Sequence, residues 1–127
     1  MERRWGAAAA DAACVLVFIG LGRRTHDEAG SLTGLFVTAA PFLLAAALAW
    51  VVMMLLRWPP GSLCAGMLVA STTWSLGMLL RAAAFGGGTA AAFVAVAGLT
   101  LAATMMGWRS AVLAARRHAA RGDRVIR

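Results

Sequence analysis

The chain has no lysine, asparagine, glutamine or tyrosine, and its 127 residues hold only five carboxylates and two cysteines. The two cysteines form no CxxC, and no disulfide framework is expected. Cys14 and Cys64 fall inside or at the edge of apolar stretches and read as small hydrophobes. No nucleophile stands beside a base, and no group of His, Cys, Asp and Glu has useful metal-ligand spacing. No catalytic, cofactor or metal site is therefore expected, the weak ligand set of the first link (below) aside. It also shows no internal repeat. Only about 40 residues lie outside the long apolar runs, too few for a separate soluble domain.

Polar helix faces are missing as well. The composition is 61% hydrophobic with a mean hydropathy of +0.78, against about 45–50% apolar for a soluble domain. Four runs, 5–22, 35–56, 63–85 and 89–108, are apolar all round, where a soluble bundle shows a polar stripe on each helix. Each run has about 18–23 residues, enough at 1.5 Å per residue to cross roughly 30 Å of hydrocarbon. The fold class expected is all-α: an integral membrane up-down bundle of four transmembrane helices over residues 1–108. Residues 109–127 are expected to form a basic cytoplasmic tail that extends the last helix.

The first run resembles a signal peptide only in having Arg3 and Arg4 ahead of it. No A-x-A-like cleavage site follows, and the alanine-rich part precedes the most apolar part, so a retained helix is expected. Between the second and third runs lies Arg57-Trp58-Pro59-Pro60-Gly61-Ser62, which cannot continue a helix. Gly86-Gly87-Gly88 makes a still shorter link before the fourth. Short links make sequential helices antiparallel neighbours.

All twelve basic residues are arginine, and the net charge is +7. Such a charge could suit nucleic acid. In a chain of membrane spans, arginine instead sets topology and meets anionic headgroups, so no nucleic-acid partner is expected. An even number of spans puts both termini on one side. That side holds nine arginines and the other holds Arg23, Arg24 and Arg81. The positive-inside rule then gives N-in and C-in topology in the cell (plasma) membrane. Trp5, Trp58 and Trp108 fall at the same side, where indoles favour the headgroup zone.

A few polar residues need an explanation. Asp11 lies six residues past Trp5, about 9 Å in depth. An ionised carboxylate there must face the bundle, take up a proton or find donors. It is either a titrating group for proton or cation handling, or a near-interface residue held by Ser/Thr partners or water. Ser71, Thr72, Thr73 and Ser75 cluster midway along the third run, where each hydroxyl can bond its own helix backbone; packing is expected of Trp74. Pro41 should bend or loosen the second helix. Gly66 and Ala70, like Gly30 and Gly34, form small-xxx-small pairs suited to close helix contact. Arg81, late in the third run, is expected to pair with Asp27 or Glu28 of the first link, Glu28 by preference. The link itself, from Arg23 through Thr25 and His26 to Glu28, is the densest polar segment, either a solvated salt-bridged loop or a weak metal or proton site. The tail arginines Arg109, Arg116, Arg117 and Arg121 are expected to face anionic lipid.

Several of these residues occur in the order of a known pattern. Asp11 is followed by Gly22, Arg23, Thr25, His26 and Glu28, then by Pro41-Phe42, then by Arg81 with Gly87, Gly88, Thr89, Ala90 and Phe93, and finally by Gly107-Trp108-Arg109. In this the chain resembles a bacterial family of small four-helix membrane proteins catalogued as domain of unknown function 3054. The resemblance covers nearly everything but the tail. It implies no activity, and it points to Asp11, Arg81 and the polar link as residues to test. Two other four-span families match in size. Small multidrug exporters carry a carboxylate in the first helix, but the Tyr and Trp of their binding sites are not in place here. Fluoride channels carry a T-T-F-S motif faintly echoed by 71–75, but they rely on an asparagine, and this chain has none. The function expected is a non-enzymatic accessory or scaffold in the cell envelope, with a membrane-protein partner or a homo-oligomer. The alternative is a small oligomeric transporter or channel using Asp11 as a titrating group.

Overall fold

A computed structural model of the chain describes residues 2–25 and 31–126, the side chains of Arg24 and Thr25 lying outside that description. The described residues form four helices: α1 (Glu2–Thr25), α2 (Leu32–Leu55), α3 (Leu63–Ala83) and α4 (Ala91–Val125). All four are long and apolar enough to cross a membrane. Each packs on the helices before and after it, and α4 closes the ring against α1. This is the up-down arrangement that short links favour. Both termini therefore lie at one end of the bundle, with the α2–α3 link. The α3–α4 link lies at the other.

Local chemistry explains where the helices begin and end. Ser31 and Ser62 cap α2 and α3, their hydroxyls accepting from the backbone N–H of Gly34 and Ala65. At the end of α2, Arg57 takes a left-handed conformation with φ 56°. Its N–H donates to the Met54 carbonyl and that of Trp58 to the Met53 carbonyl, which is a Schellman termination with arginine where glycine is usual. Pro59 and Pro60 then prevent the helix from resuming. After α3, Gly86 adopts φ 62° and the chain reverses within a few residues. Helix α2 runs unbroken through the buried Pro41. Helix α4 is longer than a span needs: its 35 residues reach about 52 Å, so its last turns project beyond the bundle.

The interior combines small residues, aliphatic and methionine side chains such as Val15, Met53, Leu101 and Met105, and one aromatic layer. Phe18 of α1 meets Phe42 of α2 edge-on at 5.7 Å and Phe93 of α4 at 5.9 Å. Gly77 of α3 completes the layer, because a Cβ there would lie 2.5 Å from the Phe42 ring. Large apolar side chains such as Leu21, Phe36, Leu44, Leu79 and Leu99 point outward instead. Such an inside-out surface is unstable in water. The mid-helix hydroxyls follow the backbone-bonding pattern at Ser71, which donates to Met67, and at Ser75, which donates to Ser71. Thr73 departs from it: its hydroxyl is buried with no partner. Trp74 does more than pack. Its Nε1 donates to the Val94 carbonyl at 2.9 Å and ties α3 to α4.

Candidate functional site: an aspartate–arginine clamp

Asp11 is the centre of the site. It sits on the inward face of α1 and is 1% exposed. Arg109 of α4, fully buried, meets it fork to fork: one terminal nitrogen donates to each carboxylate oxygen at 2.7 Å. Two indoles complete the shell. Trp50 Nε1 of α2 donates to Oδ2 and Trp108 Nε1 of α4 to Oδ1, both at 3.0 Å. Each oxygen thus accepts two charge-assisted bonds in a low-dielectric interior, the arrangement in which such bonds are strongest.

The arginine is equally satisfied. Its Nε donates to the Pro60 carbonyl at 2.9 Å, and a terminal nitrogen also reaches the Met105 carbonyl at 3.0 Å. Its guanidinium carbon lies 4.3 Å from the Trp108 ring centre, a cation–π contact. Space for it comes from Gly66 of α3, where a Cβ would come within 2.8 Å of the Arg109 side chain. One ion pair therefore joins α1, α2, the α2–α3 link and α4, and it lies against α3.

The geometry corrects three expectations. Arg109 does not belong with a lipid-facing tail. Helical side chains lean toward the helix N-terminus, so an arginine just past the last apolar turn of α4 reaches back into the bundle rather than out of it. Asp11 is held by an arginine and two tryptophans, not by Ser/Thr partners. Trp108, expected among the headgroup-facing indoles, is spent on the clamp, whereas Trp5 is 73% exposed. Arg116, Arg117 and Arg121 are exposed on the projecting part of α4.

The remaining candidates gather at the opposite end. Arg23 donates to the Thr38 hydroxyl at 3.1 Å, which in turn donates to the Gly34 carbonyl, so Arg23 ties α1 to α2. Arg81 donates from Nε to the Gly88 carbonyl at 3.1 Å and stands 4.7 Å from the Phe93 ring centre, bracing the α3–α4 reversal. The two arginines line one cleft of about 710 Å³. The Thr25 side chain, His26 and Glu28 lie outside the described residues, and with them the expected Arg81–Glu28 pair. Asp11 and Arg81 occupy opposite ends of the bundle. Gly66 faces side chains of α4, Arg109 and Met106, within this chain.

The clamp and the Arg81 turn coincide with the ordered motifs in the sequence. A family model described as a protein of unknown function, DUF3054, matches residues 8–112. The chain belongs to this family. The matched span holds both Asp11 and Arg109, together with Trp50, Pro60, Gly66 and Trp108. Arg116, Arg117 and Arg121 lie beyond it. No curated protein and no solved structure matches the chain.

Proposed function

We propose that this DUF3054 chain is a non-enzymatic, multi-pass protein of a bacterial plasma membrane that serves as an accessory or scaffold in a larger cell-envelope assembly. The observation that carries the reading is the closed clamp. Asp11, the residue best suited by position to carry protons or cations, has both oxygens occupied by Arg109, Trp50 and Trp108. A group so bound stiffens a bundle, and exchanging it with a passing ion means breaking charge-assisted bonds. The apolar outer surface leaves the chain's faces open to lipid or to another membrane protein.

Both termini lie in the cytoplasm in this reading. The arginine asymmetry supports it, remaining eight to three when Arg109 is set aside as neutralised by Asp11. Purification in mild detergent or native nanodiscs, followed by mass spectrometry and mass photometry, tests the role. A stoichiometric second protein is the expected outcome. A clean homo-oligomer with no partner moves the weight to the alternative, a small oligomeric transporter using Asp11 as a titrating group. One feature supports that alternative: Asp11 also lines a cleft of about 430 Å³ between α1 and α2. In that case Asp11→Asn, while still folded, abolishes flux in liposomes.

A further inference from the structure

The tail arginines do not form one undifferentiated basic surface. Arg116 faces the cleft between α1 and α4, with Arg3 and Arg4. Arg117, His118 and Arg121 face the other way, around a recess of about 380 Å³ that is bounded on α3 by Leu63. Directly beside Leu63, at Cys64, a second and larger groove begins. It has a volume of about 870 Å³ and an almost wholly apolar lining, with Met67, Ser71 and Trp74 on one wall and Gly98, Ala102 and Met106 on the other. The two recesses follow one another along α4. The stripe carrying Ala102 and Met106 continues at three- and four-residue steps through Ser110 and Ala114 to Arg117 and Arg121, which is one helix face.

The depth of the groove identifies what fits it. From Cys64 to Trp74 it follows α3 for ten residues, about 15 Å, half of a roughly 30 Å hydrocarbon core. At its deep end Trp74 bridges to the Val94 carbonyl, with its indole against Gly98. A partner transmembrane helix needs a track across the whole membrane, and this track stops at mid-depth. Its polar lining is sparse: Ser71 donates to Met67 within its own helix, and the Cys64 thiol and the Trp58 indole lie at the end on the side of the termini. One acyl chain of a single leaflet suits the groove, and a phosphate suits the cations at its mouth.

The geometry points to a bound anionic phospholipid from the leaflet on the side of the termini, its phosphate held by Arg117 and Arg121 and an acyl chain laid between α3 and α4. This rests on the membrane insertion proposed above but not on the scaffold role, and insertion is read separately by resistance to carbonate extraction. The test is native mass spectrometry of the full chain released from nanodiscs containing equal phosphatidylglycerol and phosphatidylcholine. One retained phosphatidylglycerol per chain is expected. Arg117→Gln with Arg121→Gln should lower its affinity about 25-fold, at about one factor of five per arginine. Arg3→Gln with Arg116→Gln removes the same charge from the α1–α4 cleft and should change it less than about threefold. Ala102→Trp fills the groove and should also release the lipid. No preference for phosphatidylglycerol, equal losses in the two arginine pairs, retention in Ala102→Trp, or a protein found in the groove each overturns the proposal. The arginine pairs are exposed, so their result stands even if Ala102→Trp does not fold.

Discussion

Breaking the clamp from one side should be worse than removing it altogether. Asp11→Ala leaves a guanidinium, fully buried in the native structure, with only the Pro60 and Met105 carbonyls. Loss of one partner of a buried ion pair costs about 3–5 kcal/mol, because the survivor stays desolvated. The Trp50 and Trp108 N–H groups lose their acceptor too, so Asp11→Ala should sit at the upper end of that range. Arg109→Met should sit at the lower end, because both indoles still donate to the carboxylate. The double variant Asp11→Ala/Arg109→Met buries no charge and leaves the two indoles and the Pro60 carbonyl unpaired. It should be no less stable than either single variant, with a coupling of about 3 kcal/mol or more. Unfolding in mixed micelles, followed by tryptophan fluorescence, measures this with Trp50 and Trp108 as reporters at the site. Additivity of the two single effects to within about 0.5 kcal/mol would refute the clamp. Exchanging the two residues should not restore stability, because the notch at Gly66 admits an arginine from α4 only.

Three smaller perturbations test the surrounding fold. Arg57→Gly relieves a left-handed arginine at the α2 terminus and should stabilise the protein by about 1 kcal/mol in the same unfolding assay. Thr73→Val removes a buried hydroxyl with no partner at nearly constant volume and should stabilise by about 1–2 kcal/mol; destabilisation would mean that the hydroxyl is satisfied. Gly77→Ala places a methyl 2.5 Å from a Phe42 ring that Phe18 already braces, so a loss of about 1–3 kcal/mol is expected, whereas Gly107→Ala, with open space at that Cβ inside α4, should stabilise by about 0.5–1 kcal/mol.

Much of the architecture was legible in the sequence because it depends on local composition. Four apolar runs of spanning length, a Pro-Pro-Gly stop and a glycine triplet specify four antiparallel helices without reference to any distant contact. The expected boundaries agree with the observed ones to within about three residues, except where α4 continues to Val125. That continuation was anticipated as a helical extension. What it hid was the position of Arg109, counted with the tail because the apolar run ends at Trp108. Two signals bear on the clamp, the first on its Trp50 and the second on Arg109 itself. Asp11 is about 9 Å past Trp5 and Trp50 about 10 Å before Arg57, so the two lie at equal depth on antiparallel helices. An arginine late in a helix also leans back toward its N-terminus. Arg81 was the more obvious cation for a carboxylate, yet it lies at the other end and is occupied with Gly88 and Phe93.

The sequence by itself determined the number of helices, their lengths and the excess of arginine at one end, since periodicity, hydropathy and charge are summed along the chain. Only the tertiary structure decided which charge answers Asp11, that two indoles share it, and that the tail arginines divide between two grooves. Those choices depend on which faces of α1 and α4 meet, and helices apolar all round carry no stripe from which to read that rotation. Gly66 helps to settle it, because it is where α3 leaves room for a buried guanidinium.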